Sequence, residues 1–245
     1  MPLGYKVIAR IEQIIREEME ALGGLEVSLP LVQPGEWWKT TGRDALVGDD
    51  LVSFRDRAGK PLVLAPTSEE AAVELLRGSL RSYRDLPIFI YQIEQKFRDE
   101  ERVRCGLLRA REFHMKEGYS FHRSYSDLNN FFPKVFAAYQ RIFKRCGLEV
   151  HAAEAGVGYM RGSRSYEFLT SSACGDDMLV YCDSCGYRAN SEVAGGGKPV
   201  ITEPLRAMKK EHTPRATTMD LLSESLSLPK QRLAKPMLYR TPQRL

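Results

Sequence analysis

Apolar side chains recur at helical spacing over residues 5–22, where Val7, Ile8, Ile11, Ile14, Ile15, Met19 and Leu22 line one side and charges the other. Gly23 and Gly24 follow and stop that helix. The pattern then shortens to a period of two. "LEVSLP" (25–30) alternates like a strand and ends on Pro30. A short helix is expected near "PGEWWKTT", and "LVSFRD" and "PLVLAPT" flank "RAGK" as a hairpin. "SEEAAVELLRGSL" (68–80) is helical, with Ser68 or Thr67 suited to the N-cap. Residues 87–100, "PIFIYQIEQKFRDE", form a long strand rich in β-branched and aromatic side chains, and "AREFHMKEGYSFH" returns as its partner. An amphipathic helix covers 126–147 and ends at Gly147; "LEVHAAEA" is another strand.

From about residue 156 the texture changes. "GVGYMRGSRSYEF" is a loop leading to a strand, "DDMLVYCDSCGYRAN" a strand and a tight turn, and "AGGGKPVITEP" a linker. The segment from 211 begins a helix and a strand. The pattern predicts an α+β class with a mainly antiparallel sheet and flanking helices over residues 1–197, followed by a linker and the start of a second unit over 198–245.

Composition narrows this only slightly. With 43% apolar and 28% charged residues the chain has globular composition, and no run of about 18 apolar residues predicts a membrane helix. No signal peptide is evident, and five cysteines point to a reducing cytoplasm. The net charge of +4 permits a nucleic-acid or nucleotide partner without demanding one. Cys182 and Cys185 form one C-x-x-C; a structural zinc site usually needs a second pair, so reduced thiols in a turn are expected and no metal. His114 and His122 suit strand-face positions better than catalytic ones.

The chemistry concentrates in residues 95–121, where Arg102, Arg104, Arg109 and Arg111 lie in and beside one hairpin loop with Gly106. Residues two apart on a strand share a face, so Arg98 points with Glu100, and Arg111, Phe113, Met115 and Glu117 point together. Guanidinium, carboxylate and aromatic ring on one surface suit a nucleotide: arginine grips phosphate, a carboxylate accepts from an exocyclic amine, and a ring stacks on a base. A solvated basic hairpin is the competing reading.

"FRDE", a basic loop and "REFHMKEGYSF" together resemble motif 2 of the class II aminoacyl-tRNA synthetases, in the form found in the prolyl-tRNA synthetases. "PLGYKVIARIEQIIREEMEALGGLEVSLPLVQPGEWWKTTGR" is similar to motif 1 of that family, "APTSEE" to its Thr-x-Glu loop, and "EHTPRATTMDLLSESLSLPKQRLAKPMLYR" to the opening of its editing insertion. The resemblance implies ATP-dependent activation of proline to prolyl-adenylate, transfer to tRNA(Pro), Mg²⁺ with the ATP, and a homodimer built through motif 1. By the same resemblance Arg98 contacts the α-phosphate and the proline carboxylate, Glu100 faces the adenine side, Phe113 stacks on adenine, Arg109 meets phosphates, and Thr67 and Glu69 hold the proline nitrogen. Each has a structural alternative: Thr67 as a helix cap, Glu69 as a partner of the helix dipole, Arg98 as an ion-pair partner of Glu100 or Glu117, and Phe113 as core.

Departures from the family pattern are also present. No counterpart of motif 3 or of an anticodon-binding domain occurs, Arg161 precedes Gly162, and Tyr166 stands where the family has histidine. The expectation is therefore a ligase fragment with an incomplete sheet. The alternatives are a non-catalytic synthetase-like module that binds tRNA, nucleotide or protein and, more weakly, a stand-alone editing hydrolase.

Overall fold

A computed structural model describes residues 1–104, 106–158, 162–197, 207–208 and 210–234. Arg161, most of the expected linker and the strand expected near the C-terminus lie outside the described residues. The chain divides into two compact units, Met1–Gly195 and Gly196–Leu245.

In the first unit, helix α1 (Pro2–Ala21) leads into β1 (Leu25–Glu26), which lies parallel to the long strand β5 (Ile88–Phe97). The strand expected over 25–30 is only two residues long. The Val27 amide makes one more ladder bond, to the Tyr91 carbonyl at 2.9 Å, after which the Leu29 amide donates to the Gln92 side chain at 2.8 Å instead. β5 pairs antiparallel with β6 (Glu112–Phe121) over ten consecutive residue pairs, from Ile88↔Phe121 to Phe97↔Glu112. Sheet order is β1-β5-β6.

The alternation in β5 buries it on both sides. Phe89 and Tyr91 pack with Ile14 and Met19 of α1 and with Ala138 and Ile142 of α5 (Tyr125–Arg145). Ile90 points the other way, onto Ala71, Ala72 and Leu76 of α4 (Glu69–Ser79). Helix α5 starts where the Ser124 hydroxyl accepts from the Asp127 amide, and stops at Gly147, whose φ of 78° suits glycine.

A second small sheet holds β2 (Val32–Pro34), β3 (Ser53–Arg55) and β4 (Pro61–Leu64) in the order β2-β4-β3. The turn between β3 and β4 is an Asx turn: Asp56 Oδ1 accepts from the amides of Ala58 and Lys60. Two short helices, α2 (Gly35–Thr41) and α3 (Arg43–Val47), connect β2 to this hairpin, and Trp38 packs under Val63 and Ala65. A third sheet, in the order β8-β7-β10-β9, holds β7 (His151–Glu154), β8 (Tyr166–Leu169), β9 (Leu179–Tyr181) and β10 (Arg188–Asn190). Phe168 and Tyr166 of β8 pack on Phe136, Tyr139 and Phe143 of α5. Tyr166 therefore serves as a core contact, edge-to-face with Phe136 at 5.4 Å. In the second unit, helix α6 (Met219–Leu226) starts at Thr218, whose hydroxyl accepts from the Leu221 amide.

Candidate active site on the long hairpin

The register of the β5–β6 hairpin places Gln92 opposite Glu117, Glu94 opposite Met115 and Lys96 opposite Phe113 on one face. The Arg98 amide continues the ladder to the Arg111 carbonyl at 2.9 Å, so Arg98 belongs to the same face one step beyond the strand. Glu100 was expected on the strand and lies outside it, because β5 ends at Phe97.

The floor of the face is a buried polar cluster. Lys96, with 0% of its surface exposed, pairs with Glu117 at 2.9 Å. Glu117 also accepts from Gln92, from the Tyr119 hydroxyl and from the Ser68 amide. The Ser68 hydroxyl accepts from Gln92 and Lys96. Ser68 is thus the residue preceding α4, yet its side chain caps nothing; the expected hydroxyl cap is replaced by contacts to the sheet. Burial, with Glu69 and Glu117 nearby, pushes the Tyr119 hydroxyl pKa upward and keeps it a donor. The cluster ties the Pro66–Ser68 turn to the hairpin.

The wall is built by a residue that sequence reading did not single out. Arg43, 8% exposed, donates through Nη2 to Thr67 Oγ1 at 2.7 Å and through Nη1 to Glu69 at 2.7 Å and Glu70 at 2.8 Å. Its guanidinium lies 4.8 Å from the Trp38 ring centroid. Burial opposes its charge, but Glu69 and Glu70 outweigh that and raise its pKa above the usual value. Thr67 and Glu69 are therefore brought together by one fork, and Thr67 is no helix cap.

At the rim, Arg98 Nη2 reaches the Pro66 carbonyl at 3.4 Å, and the guanidinium sits 5.3 Å from the centroid of the Phe113 ring. Its Nε is buried without a hydrogen-bond partner. Among the described residues Arg98 pairs with no carboxylate; the anticipated partners are taken, Glu117 by Lys96 and Glu100 by Arg109 at 2.9 Å. Three other arginines of the hairpin behave differently. Arg104 pairs with Asp176, Arg109 with Glu100 and more distantly with Asp176 at 3.8 Å, and Arg111 with Asp99 at 3.2 Å. Arg104 and Arg109 bridge across the loop, which turns at Gly106 with φ 63°. The Arg102 amide and the Arg109 guanidinium hold the Glu100 carboxyl below its ordinary pKa.

The arrangement offers a guanidinium without a carboxylate partner beside an aromatic ring, a carboxylate and a hydroxyl held by Arg43 on the segment that follows Pro66, and three loop cations neutralised by carboxylates. It contains no nucleophile and base pair, and suits the binding and alignment of anionic reactants. Among the described residues no three metal-ligating side chains gather. His114 hydrogen-bonds Glu12 of α1 at 2.8 Å, a packing role.

Residues 52–196 match the family model described as tRNA synthetase class II core domain (G, H, P, S and T). The chain is 44% identical over 243 residues to a Ralstonia pickettii protein named Proline--tRNA ligase, a match that covers 98% of this chain and 42% of that one. A protein of the same name from Salinispora tropica is 45% identical over 236 residues, covering 96% of this chain and 40% of that one. The chain thus spans about 42% of the length of the first of these relatives. Among solved structures, the Giardia lamblia prolyl-tRNA synthetase in complex with prolyl-adenylate is similar with a TM-score of 0.57, at 24% identity over 63% of this chain and 32% of that one. The Cryptosporidium parvum prolyl-tRNA synthetase complexed with halofuginone and AMPPNP gives 0.61, at 18% identity over 69% of this chain and 36% of that one. At these identities the likeness shows the fold.

Proposed function

The chain belongs to the class II tRNA synthetase core-domain family, and from that premise we propose that it carries the proline- and ATP-binding face of a proline--tRNA ligase. The reaction joins the proline carboxylate to the α-phosphorus of ATP, releasing pyrophosphate and leaving prolyl-adenylate, from which proline passes to tRNA(Pro). The observation that carries this reading is the guanidinium of Arg98, buried at Nε without a hydrogen-bond partner and, among the described residues, unpaired with any carboxylate, while Arg104, Arg109 and Arg111 each meet one. Bringing two anions together is the electrostatic obstacle of the step, and a fixed cation between them lowers it.

Each site residue has a role in this reading. Arg98 bridges the α-phosphate and the proline carboxylate. Phe113, already facing the guanidinium, stacks on adenine, and Glu100 lies on the adenine side. Thr67 and Glu69, held by Arg43, receive the secondary ammonium of proline, which needs one acceptor and one counter-charge. Arg109 exchanges Glu100 and Asp176 for phosphate oxygens when ATP arrives, one anion replacing another. Mg²⁺ would arrive with ATP and supply positive charge against its phosphates. The protein acts in the cytoplasm as a homodimer through the α1 region. No described helix is long and apolar enough to cross a membrane.

Proline-dependent ATP–pyrophosphate exchange on the 245-residue chain tests the reading. Arg98→Ala is expected to lower exchange by about 10²-fold or more, the usual effect of losing one charge-stabilising contact. A folded chain that binds ATP yet shows no proline-dependent exchange overturns the activation reading and leaves a nucleotide-binding module.

A further inference from the structure

The hairpin that joins β9 to β10 carries a sequence feature that the proposed reaction leaves unused. Its turn holds Cys182 and Cys185, closed by two main-chain hydrogen bonds: Cys182 N–H to the Tyr187 carbonyl and Gly186 N–H to the Cys182 carbonyl, both 2.9 Å. Gly186 has φ 75°, the left-handed conformation that folds the second half of the turn back over the first. Cys182 Sγ lies 3.1 Å from the Ser184 hydroxyl. Cys185 is exposed and Cys182 half-buried, so solutes reach the pair. The Ser184 hydroxyl leads the stabilisation of the Cys182 anion, followed by groups of Cys185 and Ser184 in the turn, and the Cys182 thiol is held down to about 6.

We propose that Cys182 and Cys185 form a peroxide-reactive dithiol, with Cys182 the attacking sulfur and Cys185 the resolving one. The Cys182 thiolate attacks one oxygen of a hydroperoxide such as hydrogen peroxide; the S–O bond forms, the O–O bond breaks, and hydroxide leaves and takes up a proton as water. Cys182 is then a sulfenic acid. The Cys185 sulfur attacks the Cys182 sulfur; the S–S bond forms, the S–O bond breaks, and the departing hydroxide takes the Cys185 proton as a second water. Two electrons pass from the thiols to the peroxide. A soft metal is the competing occupant of such a turn, but it needs about four ligands, and among the described residues no third ligand joins these two. A disulfide needs only the two that are present.

The test uses the full chain, reduced, freed of metal by chelation, and exposed to hydrogen peroxide at neutral pH, with the remaining thiols alkylated and every cysteine peptide weighed. The 182–185 peptide is expected to lose two hydrogens while Cys146 and Cys174 stay alkylatable. Cys185→Ser is expected to stop at a sulfenic acid on Cys182 that dimedone traps, and Cys182→Ser to abolish both products. Without peroxide, Cys182 is expected to alkylate about tenfold faster than Cys174 at pH 7. Circular dichroism of each variant separates lost chemistry from lost fold. Oxidation that starts at Cys105, Cys146 or Cys174, or equal alkylation of Cys174 and Cys182, overturns the proposal. So does a purified chain that retains stoichiometric zinc and resists peroxide until the zinc is removed.

Discussion

Arg43 joins groups that lie more than twenty residues downstream, contacting Thr67, Glu69 and Glu70 at 2.7 to 2.8 Å. Lysine keeps the charge but cannot satisfy three acceptors from one planar fork. Arg43→Lys is expected to raise KM for proline about tenfold with a smaller change in kcat, because it loosens ground-state positioning without touching phosphate; steady-state exchange kinetics check this. Equal losses in kcat and kcat/KM would place Arg43 in the chemical step instead. A second residue-scale prediction concerns Lys96, which is fully buried against Glu117. Lys96→Met alone strands a buried carboxylate and is expected to cost about 3–5 kcal/mol in urea denaturation. Adding Glu117→Gln is expected to recover part of that, since the charge is gone and the amide still meets Gln92 and Tyr119. Thr67, Glu69, Arg98 and Phe113 could be put forward as candidates from short motifs. Arg43 and Lys96 could not, and Glu117 entered only as an alternative partner of Arg98, because the groups that fix these three lie 21 to 49 residues away and no local pattern encodes a buried ion pair. Arg43 left only one trace, a charged residue directly after Gly42, whose φ of 69° reverses the chain at that point.

The elements themselves were read more easily than their ends. β-Branched and aromatic side chains in "IFIYQIEQKF", with "EFHMKEGYSF" returning beside it, marked both long strands, because such side chains fit a pleated, packed surface. Where the β5–β6 ladder ends is a non-local matter: past the Arg98 amide, which still reaches Arg111, the Asp99 amide donates to the Asp50 carbonyl at 3.0 Å. The same non-local control is seen between α1 and α5. Glu18 of α1, 8% exposed, accepts from Arg141 at 2.7 Å and Arg145 at 3.0 Å. Burial alone would raise its pKa, but the two guanidiniums overcome that and place it below 4.5. A carboxyl with a depressed folded pKa contributes stability that is complete above its unfolded pKa and disappears as pH falls through the folded value. The wild-type chain is therefore expected to lose part of its urea stability between pH 5 and the folded value, and Glu18→Gln to flatten that slope while costing about 1–3 kcal/mol at pH 7. Thermal or urea melts across this range decide it; parallel pH profiles for the two chains would show that Glu18 is not linked to folding.

At the scale of the whole molecule, each of the three buried apolar clusters lies within Met1–Gly195, from Ile14 in α1 to Ile142 in α5. The antiparallel-rich α+β class was legible because hairpins and amphipathic helices announce themselves locally. The division of ten strands into three small sheets was not, because sheet membership depends on which strands meet. One surface of this unit remains apolar: Leu3, Val7 and Ile11 of α1 are exposed as the N-terminal continuation of the stripe that is buried further along at Ile14 and Met19. An apolar stripe left uncovered beyond the buried part of its helix is the surface expected of a contact between copies. The 245-residue chain is expected to sediment as a dimer at micromolar concentration, and the double substitution Val7→Glu and Ile11→Glu to sediment as a monomer. Neither residue belongs to a buried cluster, so far-ultraviolet circular dichroism of the variant is expected to match the parent. If the parent is monomeric, or the variant still dimerises, the helix face is not the contact. If the variant is monomeric and folded, exchange activity measured at the same concentration shows whether the hairpin site works within one copy, since Arg43, Thr67, Glu69, Arg98 and Phe113 all come from the same chain.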